Sequence, residues 1–535
     1  MKKILKIWMV SLLFLLVASH NLSAFAQNEQ QLNLSMLTDP TLDPALTSDT
    51  YSPALLKNIF EGLARPDENG ELQPAAAESW QVSDDGTVYT FKLRQDGKWS
   101  NGDPVKASDF EFAWKRVVDP QTASNKAFEL AVIKNAESIT EGDTPVEDLG
   151  VKALDDYTLE VTLERPTPYF IELAARKGTM LPVHPATVEA DETGWSTKGH
   201  EDYVSNGPFT VDEISLSSHY TLIKNEHYWD KNQVSLDGIH IAIIESEQTA
   251  NTAFQSGDLD FIGIPFNTVS LDAIDTYEQQ GLLGGIDIAA NYNIKMNITD
   301  ELLSNVNLRK ALVHGVDRQG LIDNVTKAKE TPAMSLVPPT VKGFENVEPY
   351  FEDRDFETAK EYLNKALDEL GMKDPSEIQL KLSFNTNEAH AAIAQHLQQG
   401  WNENLGIQVE LDNTEWQVHL DRMTMLDYQL GRIGNTADYN DPYSILEMYY
   451  AKEVGTNRTG YEDPEYQQLI DEAQNEQDEE KRLELLRKAE AHVMDAAPFV
   501  PLYFYKNLHA TQPNVKNITP DPFTDTQLKY VEIVK

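Results

Sequence analysis

Apolar residues alternate with polar ones in four short stretches of this chain and recur every three or four positions in three longer ones. Gln31-Leu32-Asn33-Leu34-Ser35-Met36-Leu37 alternates as a half-buried strand should. In residues 88–93, Tyr89, Phe91 and Leu93 share one face, and Asp96-Gly97 follows as a turn signal. Residues 157–163 repeat the strand pattern and stop before Pro166. Residues 357–370 place Ala359, Tyr362, Leu363, Ala366, Leu367 and Leu370 at helical spacing, with Gly371 as the expected C-cap. A second helix is predicted over 388–404, with Ile393, Leu397 and Trp401 on one face and Gly406 closing it. Ile407, Val409 and Leu411 then alternate as a strand. A third helix, over 479–494, is read as charged outside with Leu483, Leu486 and Ala489 turned inward. The pattern predicts a mixed α/β protein with mixed sheets.

At 535 residues the chain is long enough for about two or three folding units. No fixed-period repeat stands out, and no Gly/Ser- or Pro-rich linker divides the chain. Lobes crossed several times by the chain fit better than separate beads. At the start, Lys2, Lys3 and Lys6 precede an apolar stretch that ends in Ala24-Phe25-Ala26. A basic start, a short apolar core and small residues two apart predict a cleavable signal peptide over 1–26. The stretch falls short of the roughly 20 residues a spanning helix needs. The expected product is therefore an exported, soluble chain, in a periplasm or at an extracellular surface.

Composition narrows the chemistry. Leu16-Val17-Ala18-Ser19 looks like a lipobox with serine in place of the lipid-bearing cysteine, and the chain has no Cys at all. Thioether lipid anchors, disulfides, thiolate metal sites and cysteine nucleophiles are excluded together. A formal charge of −43 repels phosphate backbones and anionic membranes, so no nucleic-acid partner is expected. The acidity suits either general solubility or a saline or alkaline medium. No Walker loop, Rossmann glycine fingerprint, His-Glu-x-x-His helix or Gly-x-Ser-x-Gly elbow is present. His390 and His396 are six residues apart and fall on different helical faces. Carboxylates are too plentiful for adjacent pairs to signal a glycosidase. The chain is read as neither an enzyme nor a cofactor or metal protein.

Against that silence stands an ordered series of short motifs. It runs through Phe60-Glu61-Gly62-Leu63, Tyr89-Thr90-Phe91-Lys92-Leu93-Arg94, Trp99-Ser100-Asn101-Gly102-Asp103-Pro104-Val105 and Asp109-Phe110. It continues with Ser205-Asn206-Gly207-Pro208-Phe209, Tyr228-Trp229-Asp230, Arg309-Lys310-Ala311-Leu312, Asp317-Arg318 and Pro501-Leu502-Tyr503-Phe504-Tyr505. The polar turn Asn435-Thr436-Ala437-Asp438-Tyr439-Asn440-Asp441-Pro442 belongs to the same series. In order and spacing the set resembles the oligopeptide-binding proteins of bacterial extracellular solute-binding family 5, the receptors of peptide ABC importers.

The resemblance implies a class II periplasmic-binding-protein-like α/β fold of two lobes with an additional inserted domain. Lobe I would take residues 27–60, 187–289 and 504–535, the inserted domain 61–186, and lobe II 290–503. Short peptides would lie extended in an interlobe cleft that closes by a hinge. Partners implied are those peptides and the membrane permease and ATPase subunits, with the receptor itself a monomer.

The site residues follow from the same resemblance. Asp438 would bind the peptide's α-ammonium; the same acid would also suit a helix N-cap or a turn. Arg432 and His390 would meet ligand carboxylates, with a surface ion pair and an exposed helix histidine as the plain alternatives. Trp416 would line a side-chain pocket or pack in the core. Gly434, Asn435 and Thr436 belong to the binding strand and turn, and Tyr503 and Tyr505 share one strand face. Ser48, Asp49 and Thr50 would pair with peptide backbone. Departures from the family pattern fall at Lys126, Lys295, Val313, Met423, Asn435 and Thr436. They imply that cationic positions have moved and that the C-terminal end of the ligand is loosely held. Uptake of peptides is the leading reading, a peptide pheromone or signal receptor the alternative, and a secreted hydrolase the least favoured.

Overall fold

Strand Gln31–Met36 pairs in parallel with Gly238–Ile243, joining the start of the chain to its middle. His219–Lys224 and Phe209–Ser215 complete that four-stranded sheet in antiparallel fashion. This is a computed structural model, and it describes residues 30–534 except 48, 50, 68, 69, 200, 201 and 453. The expected signal peptide, together with Ser48 and Thr50, lies outside the described residues.

A second sheet is built from Ala77–Val82, Val88–Leu93, Thr158–Thr162 and Val151–Asp155, in that order and antiparallel throughout. Its inner face carries Tyr89, Phe91 and Leu93, the side read from the two-residue period. The largest sheet has seven strands. Its path runs Phe261–Gly263, Phe499–Thr511, Leu283–Met296, Leu430–Thr436, Gln379–Asn385, Gln408–Thr414, with Thr331–Pro332 also against Phe499–Thr511. The two long strands pair from Leu283↔Ala510 to Lys295↔Phe499, with register shifts between Asp287 and Asn291 and between Tyr292 and Asn293.

The predicted helices form where their caps allow. Asp355 accepts from Thr358 N–H at 3.1 Å to start Phe356–Leu370, and Gly371 ends it at φ 71°, a conformation glycine adopts without Cβ strain. Asn387 caps Glu388–Leu405, and its buried face of Ile393, Leu397 and Trp401 packs into the core with Leu380 and Leu382 of the large sheet. Asp478 starts Glu479–Ala496. That helix departs from the expected charged exterior, because it buries Arg482 and Glu490 beside Leu486 and Ala489. Glu490 accepts from the N–H groups of Leu336 and Val337 and from the Tyr350 hydroxyl. Arg482 is spent on Asp441, two bonds of 2.6 and 2.8 Å.

The segment that follows Thr436 leaves the strand and packs into another core. Tyr439, Tyr443, Leu446 and Tyr466 share one continuous buried cluster with Tyr89 and Phe170. No helix among the described residues is long and apolar enough to cross a membrane. No group of three or more His, Cys, Asp or Glu among them could hold a metal ion.

Candidate functional site

Strand Leu430–Thr436 sends Arg432, Gly434 and Thr436 to one face and residues 431, 433 and 435 to the other. On the first face, Tyr292, Tyr503 and Tyr505 gather with ring centroids 5.0 to 6.1 Å apart. A Cβ on Gly434 would meet the Tyr505 hydroxyl at 2.9 Å, so glycine makes room for that ring. The Arg432 guanidinium lies 4.8 Å from the Tyr292 ring centroid. It donates to Asn385 Oδ1 at 3.1 Å and to the Tyr505 hydroxyl at 3.4 Å. Its Nε is buried and has no hydrogen-bond partner among the described residues. A cation held by an amide, a phenol and a ring face, with none of these acceptors a carboxylate, is poised for an anion.

His390 joins this group, its Nδ1 3.2 Å from the Tyr292 hydroxyl. Burial, then Arg432 and His419, push its imidazole down to about 4, so it is neutral near pH 7. At the start of its helix Asn387 takes the N–H groups of Ala389 and His390 at 2.9 and 3.1 Å, so these are not open to an anion. His390 therefore offers a neutral hydrogen bond and little of the helix field. Trp416 is 42% exposed, which rules out core packing; its ring lies 6.3 Å from His419, whose Nε2 is 2.8 Å from the Arg432 carbonyl.

Beyond Thr436 the chain turns into a second group. Ala437 N–H donates to the Ala289 carbonyl and Asp438 N–H to Ser444 Oγ at 2.8 Å, fixing the turn's backbone. The Asp438 side chain is 67% exposed and caps no helix through its carboxylate. It faces Lys177 Nζ at 3.2 Å, across from the end of helix Phe170–Arg176. Two adjoining clefts of about 470 and 400 Å³ share Asp438, Arg165 and Glu447 in their walls. Burial, reinforced by the Asp438 charge, pushes the Glu447 carboxyl up to about 7. Tyr169 and Tyr443 complete the apolar side.

Several expected residues stand elsewhere. Asn435 is buried on the opposite sheet face, donating to Asn291 Oδ1 at 3.0 Å, because a strand alternates its side chains. Asp49, expected to pair with peptide through its backbone, spends only its carboxylate locally, on the N–H groups of Tyr51 and Ser52 at the start of helix Ser52–Ile59. Lys295 is fully buried on the far face, donating to the Thr456 and Asn457 carbonyls, so it brings no cation to the cleft. Burial holds its amine well below the usual lysine range. Val313 and Met423 are buried core residues, and Lys126 lies 3.8 Å from Glu129. Sequence reasoning missed Lys177, Arg165, Tyr169 and Glu447. No local pattern marks them, because each meets the Asp438 turn only through the tertiary fold.

Residues 71–457 match the model of bacterial extracellular solute-binding proteins, family 5 Middle. The chain is 43% identical over 496 residues to the oligopeptide-binding protein OppA of Bacillus subtilis, covering 92% of this chain and 91% of the relative. Its fold is similar to the unliganded open form of the periplasmic murein tripeptide-binding protein MppA. The TM-score is 0.85 at 29% identity, over 95% of this chain and 98% of that one. Against Haemophilus influenzae OppA in complex with the peptide RPPGFSPFR the TM-score is 0.72 at 30% identity, over 95% and 99%. The chain belongs to bacterial extracellular solute-binding protein family 5 and has its two-lobe, periplasmic-binding-protein-like α/β fold.

Proposed function

We propose that this protein is an extracytoplasmic receptor that captures short peptides in an interlobe cleft and passes them to an ABC-type importer. One observation carries the reading. An exposed carboxylate, Asp438, and a guanidinium with no carboxylate among its acceptors, Arg432, lie six residues apart along one strand and its continuation. At about 3.3 Å per residue their spacing is at most about 20 Å, an upper limit that admits an extended peptide of up to roughly six residues. Asp438 takes the α-ammonium. Arg432, with neutral His390 and the Tyr505 hydroxyl, takes the carboxylate or a late backbone carbonyl. Trp416 lines a side-chain pocket.

The domain division, with lobe I at 27–60, 187–289 and 504–535, the inserted domain at 61–186 and lobe II at 290–503, is part of this proposal. Export by the leader, action as a monomer, and membrane permease and ATPase partners complete the reading. It is further supported by the names of the relatives, which bind oligopeptides or murein tripeptide. Mass spectrometry of ligand released from natively purified protein tests it. Intact peptides of up to roughly six residues support it. A non-peptide solute, or cleaved fragments of an added peptide, rejects it.

A further inference from the structure

Lys177 places an ammonium on the carboxylate that the ligand's ammonium must reach. Its backbone N–H closes helix Phe170–Arg176 by donating to the Leu173 carbonyl, so its stem starts from a fixed point. Its Nζ lies 3.2 Å from Asp438 Oδ1 and 3.6 Å from Glu129 Oε1. The two carboxylates differ in kind. Glu129 is 8% exposed and anchored by the Thr179 hydroxyl at 2.7 Å, whereas Asp438 is 67% exposed and open to the cleft.

We propose that Lys177 is an internal counter-cation of the ligand site, holding Asp438 in the empty receptor and passing to Glu129 when a ligand ammonium arrives. This rests on the role proposed for Asp438. Two ammonium groups on one carboxylate repel each other, so the arriving group favours retreat of the lysine. The retreat is short, because Glu129 is already within ion-pair range and the four-carbon stem is flexible. No buried charge is left unpaired at either stage, which keeps the exchange reversible. A neutral amino end offers no such exchange and leaves Lys177 in place. Lys177 thus tempers affinity for free peptides and has little effect on blocked ones.

Binding of one peptide in free and N-acetylated forms to wild type, Lys177→Met, Lys177→Gln and Glu129→Gln tests this, with thermal unfolding as the check on folding. Both Lys177 variants are expected to bind the free peptide about two- to fivefold tighter, the range of an exposed ion pair. The acetylated peptide is expected to bind them unchanged. Glu129→Gln, which removes the fallback partner, is expected to weaken the free peptide. Weaker binding of free peptide by both Lys177 variants, or equal shifts for the two forms, overturns the proposal. If wild type itself fails to distinguish the two forms, the Asp438 assignment fails first, and this inference with it.

Discussion

Tyr169 and Tyr439 lie ring on ring, with centroids 4.5 Å apart and planes 10° from parallel. Tyr443 also stacks on Tyr169, at 5.3 Å and 19°. Tyr169 precedes helix Phe170–Arg176, whose C-cap is Lys177, and Tyr439 follows Asp438, so the stack ties together the two segments that carry these charges. Such ring pairs contribute about 0.5–1.5 kcal/mol beyond the area they bury. Tyr169→Leu is expected to lower stability by at least that amount in urea unfolding.

Arg482 and Asp441 form a buried bidentate pair beneath the same turn, and Asp441 also accepts the Tyr443 N–H at 2.9 Å. Removing one partner strands the other charge, which costs about 3–5 kcal/mol. Arg482→Met is expected to lose stability in that range by chemical denaturation. A loss under about 1 kcal/mol would mean the pair is solvated in solution.

Glu447 gives the site a proton to exchange. Its carboxyl is pushed up to about 7 by burial first and by Asp438 second, with Arg165 among the groups that pull it down. A ligand ammonium in the clefts that both acids line offsets the second cause and lowers it. The folded, empty protein holds the proton below about 7, and binding expels it. Affinity is therefore expected to rise as pH increases towards 7 and to fall again as the ligand's α-amine loses its proton at about 7.7–8.0. Calorimetry at pH 6 in two buffers of different ionisation enthalpy reads the proton directly, since an α-amine with pKa about 7.7–8.0 is already charged there. Net release in wild type and none in Glu447→Gln is the expected result; no release in wild type contradicts it.

The carboxylate end is expected to be the weaker anchor. Arg432→Gln is predicted to remove most of the affinity lost when a peptide of up to roughly six residues is C-amidated, and little for longer ones. His390 is neutral above about pH 5, so it adds no pH dependence to this end between pH 6 and 8. A length series of free and amidated peptides on both proteins measures this. An equal, large amidation penalty at every length would show a fixed terminus and refute the loose end.

Much of this was legible in the chain, and the failures have physical reasons. The two-residue period gave the face of Val88–Leu93, and helix spacing with Gly371 and Gly406 gave two helices and their ends. The same period, counted from Arg432, puts Asn435 on the opposite face, although it belongs to the binding-turn motif. Arg482, Leu486 and Glu490 stand four apart on one helical face, so their burial was readable from spacing while their charge argued against it. Lys177, Tyr169 and Glu447 carry no such mark. Their meeting with Asp438 depends on the packing of the Phe170–Arg176 helix against the turn, which no local pattern encodes.

The most direct test is the affinity of one free peptide and its N-acetylated form for wild type and for Asp438→Asn. A charge-assisted hydrogen bond contributes about 1.5–3 kcal/mol, so wild type is expected to prefer the free peptide by roughly ten- to a hundredfold. Asp438→Asn should collapse that preference while leaving the acetylated peptide nearly unaffected. A preference that survives the substitution undiminished would place the ammonium on another group and contradict the account.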